Sequence, residues 1–196
     1  IFAQAGKKNP EISILSDEYM DKIRNMKHKN IAAETLRKLL EDNIRVFSRT
    51  GVVKSRLFSE KMQQILKQYN NRLISNVEVI EELLALSKEM SEAFYAGEEK
   101  GLTTEELAFY DALTKPQAIK DFYEHEELIA ITKELTELLR KNRTIDWQKK
   151  ESARAGMRKL VKRLLKRHKY PPEGMEDAVP TVMSQCEMWT DNMTAS

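Results

Sequence analysis

One cysteine, six glycines and five prolines are all that 196 residues hold of the residue types that cross-link, bend or break a chain. Cys186 alone excludes an intramolecular disulfide and a multi-thiolate metal site. With nine methionines beside it, it points to a reducing compartment, so the expected location is the cytoplasm. The scarcity of glycine and proline leaves stretches of roughly forty residues with neither, which favours long helices over short strands and hairpins. Long apolar runs are missing as well. No segment approaches the ~18–20 residues of a membrane span, and no basic N-terminus leads into a short apolar stretch as in a secretory signal. A dominant charge is absent too: 33 Lys and Arg against 31 Asp and Glu leave +2 at pH 7, too near neutral for a protein that coats polyanions. The 41% of apolar residues suffices for a core and the 33% of charged residues for its coat, which excludes disorder as the default.

What is present is helical periodicity. Residues 1–15 show no period and carry Gly6, Asn9 and Pro10; they read as a linker from a preceding domain. The chain opens on Ile1 rather than Met, so the whole reads as the C-terminal part of a longer protein, with residues 16–196 as its helical domain. Ser16 is placed to cap a short helix carrying Tyr19, Ile23 and Met26. Asn30 is placed to cap the next, with Leu36, Leu40 and Phe47 on one stripe and Gly51 as a left-handed stop. After a Val52-Val53 connector, Ser59 is the expected cap of a third helix carrying Met62, Ile65, Leu66, Tyr69 and Leu73. A fourth, the longest, begins around Ser75-Asn76 and carries Val77, Ile80, Leu84, Ser87, Met90 and Phe94 inward to Gly97.

The clearest local signal is Gly101-Leu102-Thr103-Thr104-Glu105-Glu106-Leu107. Thr103 and Glu106 form a capping box, and Leu102 and Leu107 the hydrophobic staple around it. That helix breaks near Thr114, Pro116 reopens one from a first-turn position, and Leu128, Ile131, Leu135 and Leu138 continue its stripe to Asn142. Asp146 is the expected cap of a long basic helix that turns Ala153, Met157, Leu160, Val161, Leu164 and His168 inward until Tyr170-Pro171-Pro172. Val182, Cys186 and Trp189 mark a terminal helix in which Pro180 belongs to the first turn. No segment alternates with period two, so the expected fold is all-α: an irregular bundle of six to eight helices, one long basic helix near its end.

Charge is segregated. Residues 76–128 hold 14 acids and four bases, whereas residues 149–169 hold ten bases and the single acid Glu151. At 100° per residue Arg158, Lys159, Lys162, Arg163, Lys166 and Lys169 share the outer side of the basic helix. They are solvated, neutralised by the acidic middle of the chain, or held for an anionic partner, DNA included.

Converging chemistry is hard to find. The sequence contains no G-x-x-x-x-G-K-[ST] loop, no H-E-x-x-H and no G-x-S-x-G elbow. His125, among Glu124, Glu126 and Glu127, could ligate a metal with a carboxylate, as a hydrolase would need, or simply stand on a helix surface. His168 meets the negative end of its helix dipole. Glu98-Glu99-Lys100 matches the E-x-K part of a metal-dependent nuclease signature. That chemistry needs a strand to align the groups, and the tripeptide lies at a helix end between Gly97 and Gly101. Cys186 reads as an inert buried thiol, and Trp147 as a core or an interface anchor. No residue is given a catalytic, cofactor or metal role.

Two segments carry more than their local physics: Gly101-Leu-Thr-Thr-Glu-Glu-Leu-Ala-Phe-Tyr-Asp-Ala-Leu113, and Asp146-Trp-Gln-Lys-Lys-Glu-Ser-Ala-Arg154 through Leu164-Leu-Lys-Arg-His-Lys-Tyr-Pro-Pro172. In combination they resemble the C-terminal helical region of the restriction (R) subunit of type I restriction-modification enzymes. Ile12-Ser-Ile-Leu-Ser-Asp-Glu18 and Met26-Lys-His-Lys-Asn30 resemble the entrance to that region. The resemblance implies a motor subunit with a nuclease domain and two ATPase domains that use ATP and Mg, followed by this region, whose role is assembly onto the methyltransferase and specificity core. It implies no catalysis in the present region and a terminal helix more acidic than the one beyond Glu173. The alternative, read from charge alone, is a nucleic-acid-binding module using the basic helix 149–169.

Overall fold

The structure, a computed structural model, describes residues 17–115, 119, 122–143 and 147–194. The linker assigned to residues 1–15, the Ser16 cap, Pro116 and Asp146 lie outside them. Among the described residues there is no strand, and eight α-helices follow one another: α1 Asp17–Arg24, α2 Lys29–Thr50, α3 Val52–Asn70, α4 Asn76–Glu99, α5 Thr104–Thr114, α6 His125–Asn142, α7 Glu151–Arg167 and α8 Pro172–Thr194. A 3-10 turn at Trp147–Lys149 precedes α7. The fold is all-α, as its periodicity requires. The chain divides into two compact units, one running to Phe47 and from Ser55 to Tyr95, the other comprising Ser48–Lys54 and the chain from Ala96 onward.

In the first unit the apolar stripes of α2, α3 and α4 converge. Leu36, Leu40, Leu83 and Met90 are fully enclosed, and Phe47 meets Phe58 at 5.0 Å between ring centroids. Each fully buried side chain of this size stabilises the fold by about 1.5–3 kcal/mol. Ser75 opens α4 through a capping box, its Oγ accepting the Glu78 N–H at 3.3 Å while its own N–H donates to Glu78 at 2.7 Å. Arg24 on α1 forks onto Glu81 on α4 at 3.1 and 3.2 Å.

The helix boundaries from α2 to α4 differ from the sequence expectation at several places. Helix α2 starts at Lys29, so Asn30 lies inside its first turn and the His28 carbonyl receives the first N–H groups. Helix α3 starts directly at Val52: there is no Val52-Val53 connector, and Ser59 is internal. Gly51 has no positive φ and a helix follows it at once, so it is not a left-handed stop. Val77 is 55% and Leu73 72% exposed, whereas Val79, Leu83 and Leu86 are buried. The inward stripe of α4 keeps Ile80, Leu84, Ser87 and Met90 and is wider than a heptad seam, because Val79, Leu83 and Leu86 join it.

The second unit is organised around α5, which the capping box starts as expected: Thr103 Oγ1 accepts the Glu106 N–H at 3.2 Å and the Thr103 N–H donates to Glu106 at 2.8 Å. Leu102 and Leu107, on either side of the box, are buried in the same cluster. Phe109, Leu113, Leu135, Leu139, Val161, Leu165, Val182 and Cys186 form the centre of this core. Three buried threonines keep their hydroxyls satisfied on carbonyls four residues back: Thr114 on Tyr110 at 2.8 Å, Thr132 on Leu128 at 2.7 Å, Thr136 on Thr132 at 2.9 Å. The Tyr170 hydroxyl donates to the Leu113 carbonyl at 2.5 Å, tying the end of α7 to the end of α5.

Here too the boundaries shift. Helix α6 begins afresh at His125 with the Glu124 N–H donating to Glu127 at 3.2 Å, and Leu139 rather than Leu138 completes its buried stripe. Helix α7 begins at Glu151, after the 3-10 turn. Pro172 opens α8, and Pro180 lies well inside it rather than in its first turn.

Candidate interaction surface

Helix α7 is oriented by what it buries. Met157, Val161, Leu164 and Leu165 face the core, which leaves Arg158, Lys159, Lys162, Arg163, Lys166 and, beyond the helix, Lys169 exposed, as the wheel requires. Leu165 was not expected inside; Leu160 and His168 are half-buried. Both ends are fastened. Trp147, 1% exposed and therefore a core anchor, donates its indole N–H to Thr190 Oγ1 at 3.0 Å. At the other end Glu134 on α6 receives Arg167 and, at 2.7 Å, His168 Nε2. Burial, then the Arg167 charge, holds the His168 pKa below its ordinary value. Lys169 stands at φ 58 as the left-handed residue of a Schellman stop, with the Tyr170 N–H on Leu165 O at 2.9 Å and its own N–H on Lys166 O at 3.0 Å.

Several carboxylates of the acidic middle have partners of their own: Glu81 pairs with Arg24, Glu89 with Lys61, Glu105 with Arg140 and Asp111 with Lys54. Among the described residues none of the six outer bases of α7 makes an ion pair. The pairs that α7 does make, Arg167 with Glu134 and Arg154 with Glu187 at 2.8 Å, use acids from α6 and α8.

Beside this face runs an open groove of about 440 Å³ between α7 and α8. One wall is Arg154, Arg158 and Lys162, successive turns of a single stripe; Met175, Val179 and Met183 form the floor, Glu176, Pro180 and Ser184 the far side, and Glu187 reaches Arg154. Sequence reasoning found Arg158 and Lys162 but not Arg154, although it lies four residues before Arg158. It missed the α8 side because Pro180 was read as a helix boundary.

The other candidates disperse. His125 is exposed at the start of α6, with Nδ1 3.2 Å from the Tyr110 hydroxyl. Among the described residues no three His, Cys, Asp or Glu side chains are grouped to hold a metal ion. Glu98 and Glu99 close α4 with no strand beside them. Cys186 is enclosed, and burial pushes its thiol up to about 12. No described helix is long and apolar enough to cross a membrane.

Fold and surface together define an all-helical region whose exposed chemistry is a basic helix face and the groove beside it. The family described as type I restriction enzyme HindI endonuclease subunit-like, C-terminal, matches residues 1–192. The chain is 39% identical over 194 residues to the type I restriction enzyme HindI endonuclease subunit of Haemophilus influenzae, covering 99% of this chain and 18% of that protein. It is 33% identical over 178 residues to a Methanocaldococcus jannaschii protein carrying the name of the MjaIXP type I restriction enzyme endonuclease subunit, covering 90% of this chain and 16% of that protein. No solved structure matches significantly. The chain belongs to the family of C-terminal regions of HindI-like type I restriction enzyme endonuclease subunits. It spans less than a fifth of the length of either relative.

Proposed function

We propose that this region is an assembly domain, which docks an ATP-dependent DNA-translocating endonuclease subunit onto the methyltransferase and specificity core in the cytoplasm. Catalysis, with its ATP and Mg, then belongs to other parts of the subunit. The observation that carries the reading is the basic face of α7: six charges exposed together and without ion pairs among the described residues, on a helix whose other side is locked into the core. Surfaces of this kind steer association and select partners by charge. The test is to mix the purified chain with the methyltransferase and specificity subunits of its own system and follow co-elution in size-exclusion chromatography. A stable complex is expected. Failure to co-elute, or ATP hydrolysis or DNA cleavage by the chain alone, ends the reading.

The same six charges favour a second reading, direct binding of DNA phosphates by the helix at 149–169. Charge reversal of Arg158, Lys162 and Lys166 then abolishes DNA retention in a low-salt mobility assay and flattens the salt dependence. Unchanged retention removes this face as the DNA surface.

A further inference from the structure

We infer that the groove between α7 and α8 seats one acidic amphipathic helix supplied by a partner protein. The inference rests on the docking role proposed above and names the surface that performs it.

The groove is built in two parts that a helix fits together. Arg154, Arg158 and Lys162 recur every four residues along α7, a basic rail of roughly 12 Å at the helical rise. Opposite, Met175, Val179 and Met183 recur at the same period along α8 and give the floor its apolar character. Two of the three are methionines, whose flexible side chains adapt to an incoming apolar ridge. Pro180 adds a polar feature at the lip. Having no N–H, it withholds the intrahelical donor that the Glu176 carbonyl would receive, and both residues line the groove. The occupant is therefore a segment with an apolar ridge for the floor and carboxylates for the rail.

Charge complementarity decides between a helix and nucleic acid. Glu176 stands on the far side of the groove and Glu187 already pairs with Arg154, so the positive charge left for an occupant is that of Arg158 and Lys162, on one wall only. A phosphate backbone is anionic on every side, would meet these carboxylates, and has no use for an apolar floor. An amphipathic helix can turn its acids to α7 and its neutral edge to α8. The rail is also distinct from the rest of the basic face. Arg158 and Lys162 line the groove, whereas Lys159 and Arg163 lie on the neighbouring part of the basic face and Lys166, the next step of the same stripe, lies beyond the groove. Recognition by shape and recognition by bulk charge thus depend on different residues.

The test uses the 196-residue chain and a fluorescein-labelled helical peptide of about 20 residues, with Leu at i, i+3, i+4 and i+7 and Glu along one flank. Anisotropy at near-physiological salt follows binding; a duplex DNA and the peptide with Lys in place of Glu are compared. Saturable binding of the acidic peptide alone is expected. It weakens at least about tenfold in Arg158→Glu/Lys162→Glu and in Ser184→Trp, which fills the groove from an exposed position without touching the rail. It changes by less than about twofold in Lys159→Glu/Arg163→Glu. No peptide binding, equal loss in the two charge-reversal pairs, or preferential binding of duplex DNA overturns the inference. The same variants are then assayed on the methyltransferase complex. If the native chain binds the complex and the groove variants bind as well, the groove is wrong and docking stands. If the native chain does not bind the complex while the peptide result holds, docking fails and the groove stands as a peptide site.

Discussion

Gln185 on α8 accepts the N–H of Val52 at 2.8 Å and returns its own amide N–H to the carbonyl of Thr50 at 3.0 Å. One carboxamide, 3% exposed, thus satisfies the last residue of α2 and the first of α3, where the chain passes between helices through the single buried residue Gly51. A helix start leaves N–H groups without partners, and the local sequence here offers no capping side chain. Gln185→Leu keeps the volume and removes both bonds. It is expected to cost about 1–3 kcal/mol, the penalty for leaving a buried donor and acceptor unmade, and urea denaturation followed by circular dichroism measures it.

Thr103 is the opposite case, a cap written entirely in neighbouring residues. Thr103→Ala removes the oxygen that holds the Glu106 N–H and is expected to cost about 1 kcal/mol, whereas Thr103→Asp keeps most of the stability. A matched pair of urea curves distinguishes them; equal losses would show that the box contributes little to α5.

These two caps mark how far the fold was legible. Local grammar placed α5, the end of α6 at Asn142 and the inward and outward sides of α7. The Ser75-Glu78 box was equally visible in S-x-x-E spacing and went unread. What could not be read lies in tertiary contacts: the α3 start depends on a side chain more than a hundred residues away, and Glu124 heads α6 although it is not among the favoured capping types. Pro180 misled because a proline rule of helix interiors was applied where packing of Ala178, Val179 and Val182 overrides the lost bond. For the same reason only half of the candidate surface was legible, since the basic rail repeats on one helix but the groove needs the second helix to be placed against it.

Gly156 and Gly174 both lie in helices, and helix propensity alone predicts the same benefit from alanine at each. Their surroundings differ. A Cβ at Gly156 meets nothing within 4 Å, so Gly156→Ala is expected to stabilise by about 1 kcal/mol, or raise the melting temperature by roughly 2–4 °C. A Cβ at Gly174 stands 2.8 Å from Ile119 Cδ1 and 2.9 Å from Tyr170 Cε1, and the Tyr170 ring is held by its bond to Leu113. Gly174→Ala is therefore expected to destabilise, by about 1–3 kcal/mol. Calorimetry of the two variants gives opposite signs if packing around Tyr170 is as described, and the same sign if it is not.

Cys186 makes the alkaline side of the stability profile measurable. Burial chiefly sets its thiol at about 12; the Arg143 charge lowers it and Glu187 raises it by lesser amounts. In the unfolded chain the same thiol ionises at about 8.5. Between those values the unfolded chain has released a proton that the folded chain retains, so stability is full below the lower value and falls as pH rises toward the upper one. Tyr170, raised by burial and then by Tyr123 and Asp177, acts with the same sign at higher pH. Urea midpoints measured from pH 7 to about 10.5 should therefore decline. Cys186→Ala should start lower, by about 1 kcal/mol for the lost sulfur contacts, and decline less steeply. The native thiol should react with an aromatic disulfide reagent at pH 8 only as fast as the chain unfolds, since neither thiolate nor access exists in the enclosed site. Rapid reaction of the folded chain, or parallel alkaline slopes in the two proteins, would show that Cys186 is not held as this core holds it.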